Sequence, residues 1–507
     1  MKQAIWQKIA ENKVAKPDQS WLISPETGRE ISWSEAADIT QNIASIIAGA
    51  GIAKGASIAI ASPNSLAAAT VMVGVTTAGY LATPLNLVAG AKVMGYVLNH
   101  CKAELVFCAP ESRALVEEAA TSLTQNLRII ELHPEEGPIW PEDMQAAAVQ
   151  DFQFAEANSP GILMYTSGTT GNPKGVVLSH ANLLSAGQNV AIAHHLDTQD
   201  IGCCVLPIYH INGLCVTIMG TIVSGGGLIM PYRFSLSRFW QDIKTHRASW
   251  FSAVPTLFAY LLNDDNVPEI DKGRLRFSRS ASAPLAPEIH RQFEARFGIP
   301  IIETMGLTET GAQILSNPLP PQTRKIGSPG IAIGNEVMIA DDHEKPCAAN
   351  VTGEIWVRGD NVMQGYLHQP EETAKTITSE GWLRTGDLGH MDEEGYVFVT
   401  GRIKELIIKG GENIAPRERD EVLLEHETIL EAAAFAVPCR DYGQRVEACI
   451  CFKPSRHAST DELSQHCKAR LGAYRTPDKI HILDDLPKGP SGKIQRLKLH
   501  ELVYGAH

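Results

Sequence analysis

Short apolar runs alternate along this chain with longer segments in which apolar residues recur at helical spacing. Residues 57–61 form one such run, and residues 34–47 have the helical spacing. The alternation continues through an apolar run at 248–252 and a helical pattern at 286–297. Strands that alternate with helices in this way predict an α/β domain.

The pattern changes near residue 328. From there to residue 395, short strands are separated by Gly and Asp turns, which predicts a small all-β portion. A new α/β pattern begins after Gly401 and Arg402. We therefore predict a large N-terminal α/β domain, residues 1–403, that ends in the small β portion, followed by a small C-terminal α+β domain, residues 404–507.

One loop combines the residue types that bind phosphate. Residues 165–176 read Tyr-Thr-Ser-Gly-Thr-Thr-Gly-Asn-Pro-Lys-Gly-Val. Glycines let backbone amides approach an anion closely, hydroxyls donate hydrogen bonds to it, and a lysine adds a mobile positive charge. The pattern indicates a loop that binds the phosphates of ATP. Its candidate contacts are Thr166, Ser167, Gly168, Thr169, Thr170, Gly171 and Lys174.

The residues around this loop distinguish it from the phosphate loop of common nucleoside triphosphatases. Apolar runs precede and follow it, so the loop is predicted to join two strands. In the triphosphatase motif the lysine follows a glycine and opens a helix, whereas Lys174 lies between Pro173 and Gly175. An ordinary P-loop kinase or ATPase is therefore disfavoured. A Gly- and Thr-rich hairpin turn without a ligand is the structural alternative.

Composition limits the possible partners. The 507 residues are 44% hydrophobic and 20% charged, as in an ordinary globular protein. A chain of this length is too long to fold around one compact core. The net charge of -13 opposes binding to nucleic acid, and it requires a local basic pocket for an anionic substrate. The ten cysteines show no zinc spacing, and no stretch has the pattern of a membrane span. We expect a cytoplasmic protein that is a monomer or a homodimer.

Further motifs follow the loop in a fixed order, at residues 303–309, 381–388, 401–404 and 490–494. With these motifs the chain resembles the AMP-forming acyl-CoA synthetases of the adenylate-forming superfamily over nearly its whole length. The resemblance implies that the C-terminal domain is a mobile lid. It also implies two half-reactions, in which a carboxylate and ATP with Mg²⁺ give an acyl-adenylate and coenzyme A then displaces AMP.

The resemblance assigns roles around the nucleotide. Glu309 corresponds to the magnesium ligand and Thr308 to a phosphate contact. Asp387 corresponds to the residue that binds both ribose hydroxyls, a role that suits a carboxylate because it offers only acceptors. Arg402 matches a second ribose or phosphate contact. The adenine is expected against Ser282, Ala283 and Met305, where Met305 replaces the usual aromatic residue with a thioether.

The resemblance also assigns roles to the predicted lid. Lys493 matches the lysine that bridges the carboxylate and the α-phosphate during adenylation, with an exposed tail lysine as the structural alternative. Lys404 matches the hinge about which the lid rotates between half-reactions. After that rotation, Lys409, Gly410 and Gly411 would line the passage of the pantetheine arm, where residues without side chains leave room.

The acid is expected to be small and to carry a second anionic group. His210 matches the residue at the mouth of the acyl pocket, a buried structural histidine being the alternative, and Asn212 and Gln313 are expected near it. Arg233 and Arg279 are candidates to meet the second charge, although surface ion pairing is the usual role of an arginine. Several segments resemble the oxalate-activating branch most, which favours an oxalate- or sulfoacetate-like acid.

Other interpretations are consistent with the same motifs. A medium-chain or aryl acid is an alternative substrate. An adenylation enzyme that loads a carrier protein is an alternative function, although no carrier segment with a Ser attachment motif appears in the sequence. A non-catalytic nucleotide-binding relative is disfavoured, because Lys174, Glu309, Asp387 and Lys493 occur together.

Overall fold

The computed structural model describes residues 2–149, 151–166, 172–489 and 494–505. The strands in chain order are β1 Ser20–Ile23, β2 Glu30–Ser32, β3 Ser57–Ala61, β4 Leu81–Pro84, β5 Leu105–Cys108, β6 Arg128–His133, β7 Gly137–Pro138, β8 Pro160–Thr166, β9 Lys174–Ser179, β10 Ile201–Cys203, β11 Gly227–Ile229, β12 Trp250–Ala253, β13 Phe277–Ser280, β14 Ile301–Leu307, β15 Ala312–Ser316, β16 Ile331–Ala332, β17 Glu336–Ala340, β18 Gly353–Arg358, β19 Gly365–Tyr366, β20 Leu383–Met391, β21 Val397–Arg402, β22 Ile407–Lys409, β23 Glu412–Ile414, β24 Ile429–Cys439, β25 Gly443–Phe452 and β26 Lys479–Ile482.

The helices in chain order are α1 Ile5–Ala15, α2 Trp33–Gly49, α3 Leu66–Thr77, α4 Ala91–Cys101, α5 Arg113–Ala120, α6 Glu142–Ala146, α7 His180–Ala193, α8 Gly220–Ser224, α9 Leu236–Thr245, α10 Pro255–Leu262, α11 Pro287–Phe297, α12 Pro370–Thr376, α13 Arg417–Leu424, α14 Thr460–Leu471 and α15 Leu499–Tyr504. Short 3₁₀ turns lie at Thr308–Thr310 and Ile403–Glu405, and Asn212–Met219 forms a π-helix.

Two large sheets form the body of the N-terminal part. One has the strand order β16-β15-β14-β13-β12-β10-β11-β1-β2, and the other β19-β9-β8-β4-β3-β5-β6-β7. Strands β3, β5, β12 and β13 are buried at every position, as expected for parallel strands covered on both faces. The apolar stretch that begins at Leu66 is the wholly buried helix α3. None of the helices in the described ranges has the length and hydropathy needed to cross a membrane.

The phosphate-type loop joins two strands, as its flanking residues predict. Strands β8 and β9 are antiparallel neighbours, and Thr166 pairs with Lys174 at the end where the loop begins. Residues 167–171, which include five of the predicted phosphate contacts, lie outside the described residues. The sheet therefore fixes both ends of the loop, and a helix does not follow it directly.

Smaller sheets follow along the chain. Strands β17, β18, β20 and β21 form an antiparallel sheet, which is the predicted small β portion. Strands β22 to β26 form the sheet of the C-terminal part, and α13 and α14 contribute to its hydrophobic core. The predicted α/β class, with a small β portion and a smaller α+β part, is confirmed. The predicted boundary after residue 403 falls within the 3₁₀ turn between β21 and β22.

Gly330 joins the small β portion to the large sheet at close range. Its φ is +97°, and a Cβ there would lie 2.1 Å from the carbonyl oxygen of Ser316. Its carbonyl accepts a hydrogen bond from Val397 N at 3.0 Å. The approach is possible only without a side chain.

We expect Gly330→Ala to destabilise the protein by about 3 kcal/mol, because strain at positive φ adds to a collision with backbone. Gly395→Ala is the matched control, since Gly395 has φ +85° but no described atom within 4 Å of the point that its Cβ would occupy. It should cost only about 1 kcal/mol. Thermal unfolding of both variants measures the difference, and equal losses would contradict the close approach.

Candidate active site

Lys174 begins β9 and is engaged by an acidic and an aromatic side chain. Its Nζ lies 2.7 Å from Glu372 Oε2, at the first turn of α12, and 4.9 Å from the centre of the Tyr366 ring. Hydrogen bonds from Lys174 and Lys375 lower the pKa of Glu372 to about 2. The lysine that is predicted to bind phosphate is therefore held by a carboxylate, which an incoming phosphate would have to replace.

Glu309 lies in the 3₁₀ turn that follows β14, together with Thr308. Its Oε1 accepts a hydrogen bond from the hydroxyl of Tyr366 at 2.9 Å, and its carbonyl accepts one from Met363 N at 2.8 Å. Among the described residues, no group of three or more His, Cys, Asp or Glu side chains could hold a metal by itself. A magnesium ion fits this arrangement if Glu309 supplies one ligand and nucleotide and water supply the others.

Asp387 and Arg402 form a cross-strand ion pair. They are direct partners in the register of β20 and β21. Arg402 Nε lies 2.6 Å from Asp387 Oδ1, and Nη2 lies 3.4 Å from Oδ2. Burial disfavours the charge on Arg402, but the carboxylate of Asp387 outweighs this and raises the pKa of the guanidinium. Asp387, the predicted ribose contact, and Arg402, the predicted ribose or phosphate contact, are thus adjacent and oriented by each other.

A cavity of about 270 Å³ lies between the N-terminal part and the C-terminal part. Five predicted nucleotide contacts line its N-terminal wall: Ser282, Ala283, Met305, Asp387 and Arg402. Its other wall is formed by C-terminal residues that include Arg417, Asp420, Ile494 and Arg496. The structure therefore brings the predicted adenine and ribose contacts together in one cavity.

Arg496 anchors the segment that follows the predicted catalytic loop. Its Nη2 lies 2.6 Å from Asp420 Oδ2, its Nη1 donates to the carbonyl of Ala434, and its Nε lies 3.3 Å from Glu405 Oε2. These partners belong to α13, β24 and the turn that contains Lys404. The sequence analysis did not single out Arg496, although it stands three residues after Lys493. Lys493 itself lies outside the described residues.

Other predicted lid residues occupy defined positions. Lys404 lies in the Ile403–Glu405 turn between the two parts. Lys409 is buried in the C-terminal part, where its Nζ lies 3.2 Å from Asp478 Oδ2 and 3.2 Å from the carbonyl of Tyr474. Gly410 and Gly411 follow with φ of +59° and +84°, values that favour glycine.

Arg279 is the centre of a buried polar network. It lies on β13 with 1% exposure, and its Nη1 donates to Asn212 Oδ1 and to Ser252 Oγ, both at 3.1 Å. Its Nε and Nη2 donate to Gln313 Oε1 at 3.3 and 3.2 Å. These partners are all neutral. Burial therefore lowers the pKa of Arg279 to about 9, which still leaves the guanidinium charged at neutral pH.

The same network reaches the wall of the cavity. Asn212 Nδ2 lies 3.2 Å from the hydroxyl of Ser282, which lines the cavity. Asn212 also begins the π-helix, a distortion that is common at functional sites. Of the predicted acid-pocket residues, the structure joins Asn212, Arg279 and Gln313 directly.

His210 and Arg233 are placed differently. His210 is half-buried two residues before Asn212, and its ring centre lies 4.9 Å from that of Tyr209. Arg233 is exposed in the segment between β11 and α9, and it takes no part in the network around Arg279. The two arginines, equivalent as sequence candidates, therefore differ in environment: only Arg279 is a buried cation.

Comparisons with known proteins assign the chain to a family. The AMP-binding enzyme family matches residues 9–367, and its C-terminal domain family matches residues 418–493. The chain belongs to the AMP-binding enzyme family. The predicted membership of the adenylate-forming superfamily is thereby confirmed.

Relatives in this family match the chain almost from end to end. A sulfoacetate–CoA ligase of Cupriavidus necator is 43% identical, covering 97% of this chain and 96% of that protein. An oxalate–CoA ligase of Arabidopsis thaliana is 34% identical, covering 96% of each. These relatives agree with the predicted similarity to the oxalate-activating branch.

Two solved structures of MatB from Rhodopseudomonas palustris allow a comparison of overall arrangement. The ATP-bound structure matches with a TM-score of 0.90 at 29% identity, and it covers 100% of this chain and 99% of that chain. The apo structure matches with a TM-score of 0.78 over the same coverage. This AMP-binding enzyme is therefore arranged more like the ATP-bound form of MatB than like its apo form.

We expect Arg496→Gln to destabilise the C-terminal part by about 3 kcal/mol, because Asp420, whose side chain is 13% exposed, would keep a largely buried charge without its cation. Arg475→Gln is the control, since the side chain of Arg475 is 49% exposed beside Glu412. It should change stability by less than about 1 kcal/mol. Unfolding by urea, followed by limited proteolysis of residues 404–507, measures both effects; similar stabilities of the two variants would refute the anchoring role.

Proposed function

We propose that this protein is an AMP-forming acid–CoA ligase whose acid is small and carries a second anionic group, as sulfoacetate and oxalate do. In the first half-reaction a carboxylate oxygen attacks the α-phosphorus of ATP and pyrophosphate leaves. In the second, the thiol of coenzyme A attacks the acyl carbonyl and AMP leaves. The names of the relatives support both the reaction and the substrate class.

The observation that carries the substrate class is the environment of Arg279. A guanidinium that is buried among neutral amides and hydroxyls has lost much of its hydration without gaining an opposite charge. The neighbouring His194 is fully buried, and this burial, followed by the charge of Arg279, keeps its pKa well below the usual value, so it adds no charge. The network therefore contains a buried positive charge without a carboxylate partner, which suits a neighbouring anion.

Asn212 connects this cation to the place where the acid would be activated. Its Oδ1 accepts from Arg279 and its Nδ2 contacts Ser282, so Asn212 links the guanidinium to a residue of the cavity wall. An acid in the cavity would place its reacting carboxylate towards the nucleotide and its second anion towards Arg279. A short acid suits this spacing better than a long chain or a ring.

Each remaining site residue has a proposed task in holding the reactants. Lys174 and Thr166, with residues 167–171, bind phosphate, and Asp387 with Arg402 orients the ribose. Ala283 and Met305 pack on the adenine, while Thr308 contacts phosphate and Glu309 holds the magnesium ion, which supplies positive charge at the phosphates. Orientation of the two reactants can contribute about 7–11 kcal/mol to the lowering of the barrier.

The C-terminal part is proposed to serve both half-reactions. Lys493 bridges the carboxylate and the α-phosphate, and rotation about Lys404 then brings Lys409, Gly410 and Gly411 to the pantetheine arm, with His210 closing the acyl pocket. We further propose a cytoplasmic enzyme that acts as a monomer or a homodimer; the ten cysteines, which are all free, support that location.

Substitution of Arg279 tests the substrate class. We expect the wild-type protein to release pyrophosphate fastest with short acids that carry a second anion. Arg279→Met should lower kcat/KM for these acids about 100-fold or more and for short monoanionic acids much less, because only the former lose a buried ion pair. Arg233→Gln should leave kcat/KM unchanged for both kinds of acid. A preference of the wild type for medium-chain or aromatic acids would overturn the proposal, and a carrier protein offered in place of coenzyme A tests the loading alternative.

Separate assays of the two half-reactions test the role of Lys493. We expect Lys493→Ala to abolish formation of acyl-adenylate, yet to convert supplied acyl-adenylate and coenzyme A to the thioester at nearly the wild-type rate. Lys498→Ala is the matched control, because Lys498 is an exposed lysine of the same segment. Equal loss in both half-reactions would argue against a lysine that acts only in the first.

A further inference from the structure

Residues 363–367, the bridging segment, connect the strand that carries Lys174 with the turn that carries Glu309. At one end, Met363 N donates to the carbonyl of Glu309 at 2.8 Å. At the other end, Leu367 N donates to the carbonyl of Gly175 at 2.8 Å. Between them, β19 pairs with β9, with Tyr366 opposite Val176. Backbone bonds thus hold the segment against both functional elements.

Tyr366 is the side chain of this segment that contacts both charged groups. Its hydroxyl donates to Glu309 Oε1 at 2.9 Å, and the centre of its ring lies 4.9 Å from Lys174 Nζ. Its backbone N donates to Thr373 Oγ1 at 2.9 Å, which also connects it to α12, the helix of Glu372. One half-buried tyrosine therefore contacts the carboxylate, the cation and the helix that supplies the partner of that cation.

Each part of the tyrosine suits the group that it contacts: the hydroxyl can donate to a carboxylate, and the ring can attract a cation. A hydroxyl that donates to one carboxylate oxygen restricts the rotation of that carboxylate and leaves the other oxygen available to a metal. The face of an aromatic ring attracts an ammonium group without neutralising it, so Lys174 keeps its charge for phosphate.

We propose that Tyr366 is a positioning residue for adenylation, which fixes Glu309 as a metal ligand and Lys174 as a phosphate ligand relative to each other. This inference depends on the proposed function. Tyr366 need not touch either substrate. It orders the two groups before ATP binds, so that binding does not include the entropic cost of immobilising them.

The substitution Tyr366→Phe distinguishes the contribution of the hydroxyl from that of the ring. The variant keeps the backbone pairing and the ring beneath Lys174, and it loses the contacts of the hydroxyl with Glu309 and with the side chain of Thr376. We expect the concentration of free Mg²⁺ needed for half-maximal AMP release to rise about tenfold, with little change in kcat at saturating metal. Titration calorimetry should show weaker binding of Mg²⁺ with a non-hydrolysable ATP analogue and unchanged binding of the analogue without metal.

Tyr504→Phe is the matched control, because Tyr504 also donates to a glutamate, Glu447, at 2.7 Å, but in the C-terminal part. It should leave the metal dependence unchanged. Tyr366→Leu removes the ring as well, and it should therefore weaken binding of the analogue even without metal. A purely structural role would lower the unfolding temperature of Tyr366→Phe without shifting its metal dependence, and that result would overturn the proposal.

A double substitution tests whether the hydroxyl acts through Glu309. In a Glu309→Gln background, Tyr366→Phe should cause no further change in metal dependence, because the group that it positions is already altered. Additive effects would overturn the proposal. A wild-type protein that binds Mg²⁺ with the ATP analogue but activates no acid would refute the proposed function alone, whereas equal metal dependence in wild type and Tyr366→Phe would refute this inference alone.

Discussion

Several cations of the candidate site form ion pairs with carboxylates of the protein itself. Lys174 is paired with Glu372, Arg402 with Asp387 and Arg496 with Asp420, at closest distances of 2.7, 2.6 and 2.6 Å. In pairs of this kind, the attraction between the two charges offsets part of the desolvation penalty of holding them in a partly buried site. Arg279 is different, because its partners are amides and hydroxyls. Among these cations of the site, Arg279 is therefore the one whose positive charge favours an external anion.

This local organisation explains how a protein with a net charge of -13 can serve anionic reactants. The overall field repels ATP, coenzyme A and a charged acid alike. The cations that would bind them are held in fixed positions by neighbouring carboxylates or by burial, so attraction acts only at close range. Specificity then depends on geometry within the cavity more than on electrostatic steering from a distance.

The sequence predicted the fold class and the order of the functional segments, because both depend on local patterns. Hydrophobic alternation identified the α/β part, and residues 165–176 with their apolar flanks predicted a loop between two strands. The choice between Arg233 and Arg279 could not be made from the sequence, since burial is a property of packing. The contacts of Tyr366 with Glu309 and Lys174 could not be predicted either, because many residues of chain separate it from both.

The π-helix at Asn212–Met219 has a consequence for how acid selectivity can change. Each residue of a regular helix advances about 100° around the axis, and a π-helix accommodates an additional residue in its turn. Loss of one residue from this stretch would restore ordinary pitch and rotate Asn212 away from its partners on β12 and β13. Deletion of a single codon could thus change the selectivity for the acid without replacing any residue that is proposed to bind the nucleotide.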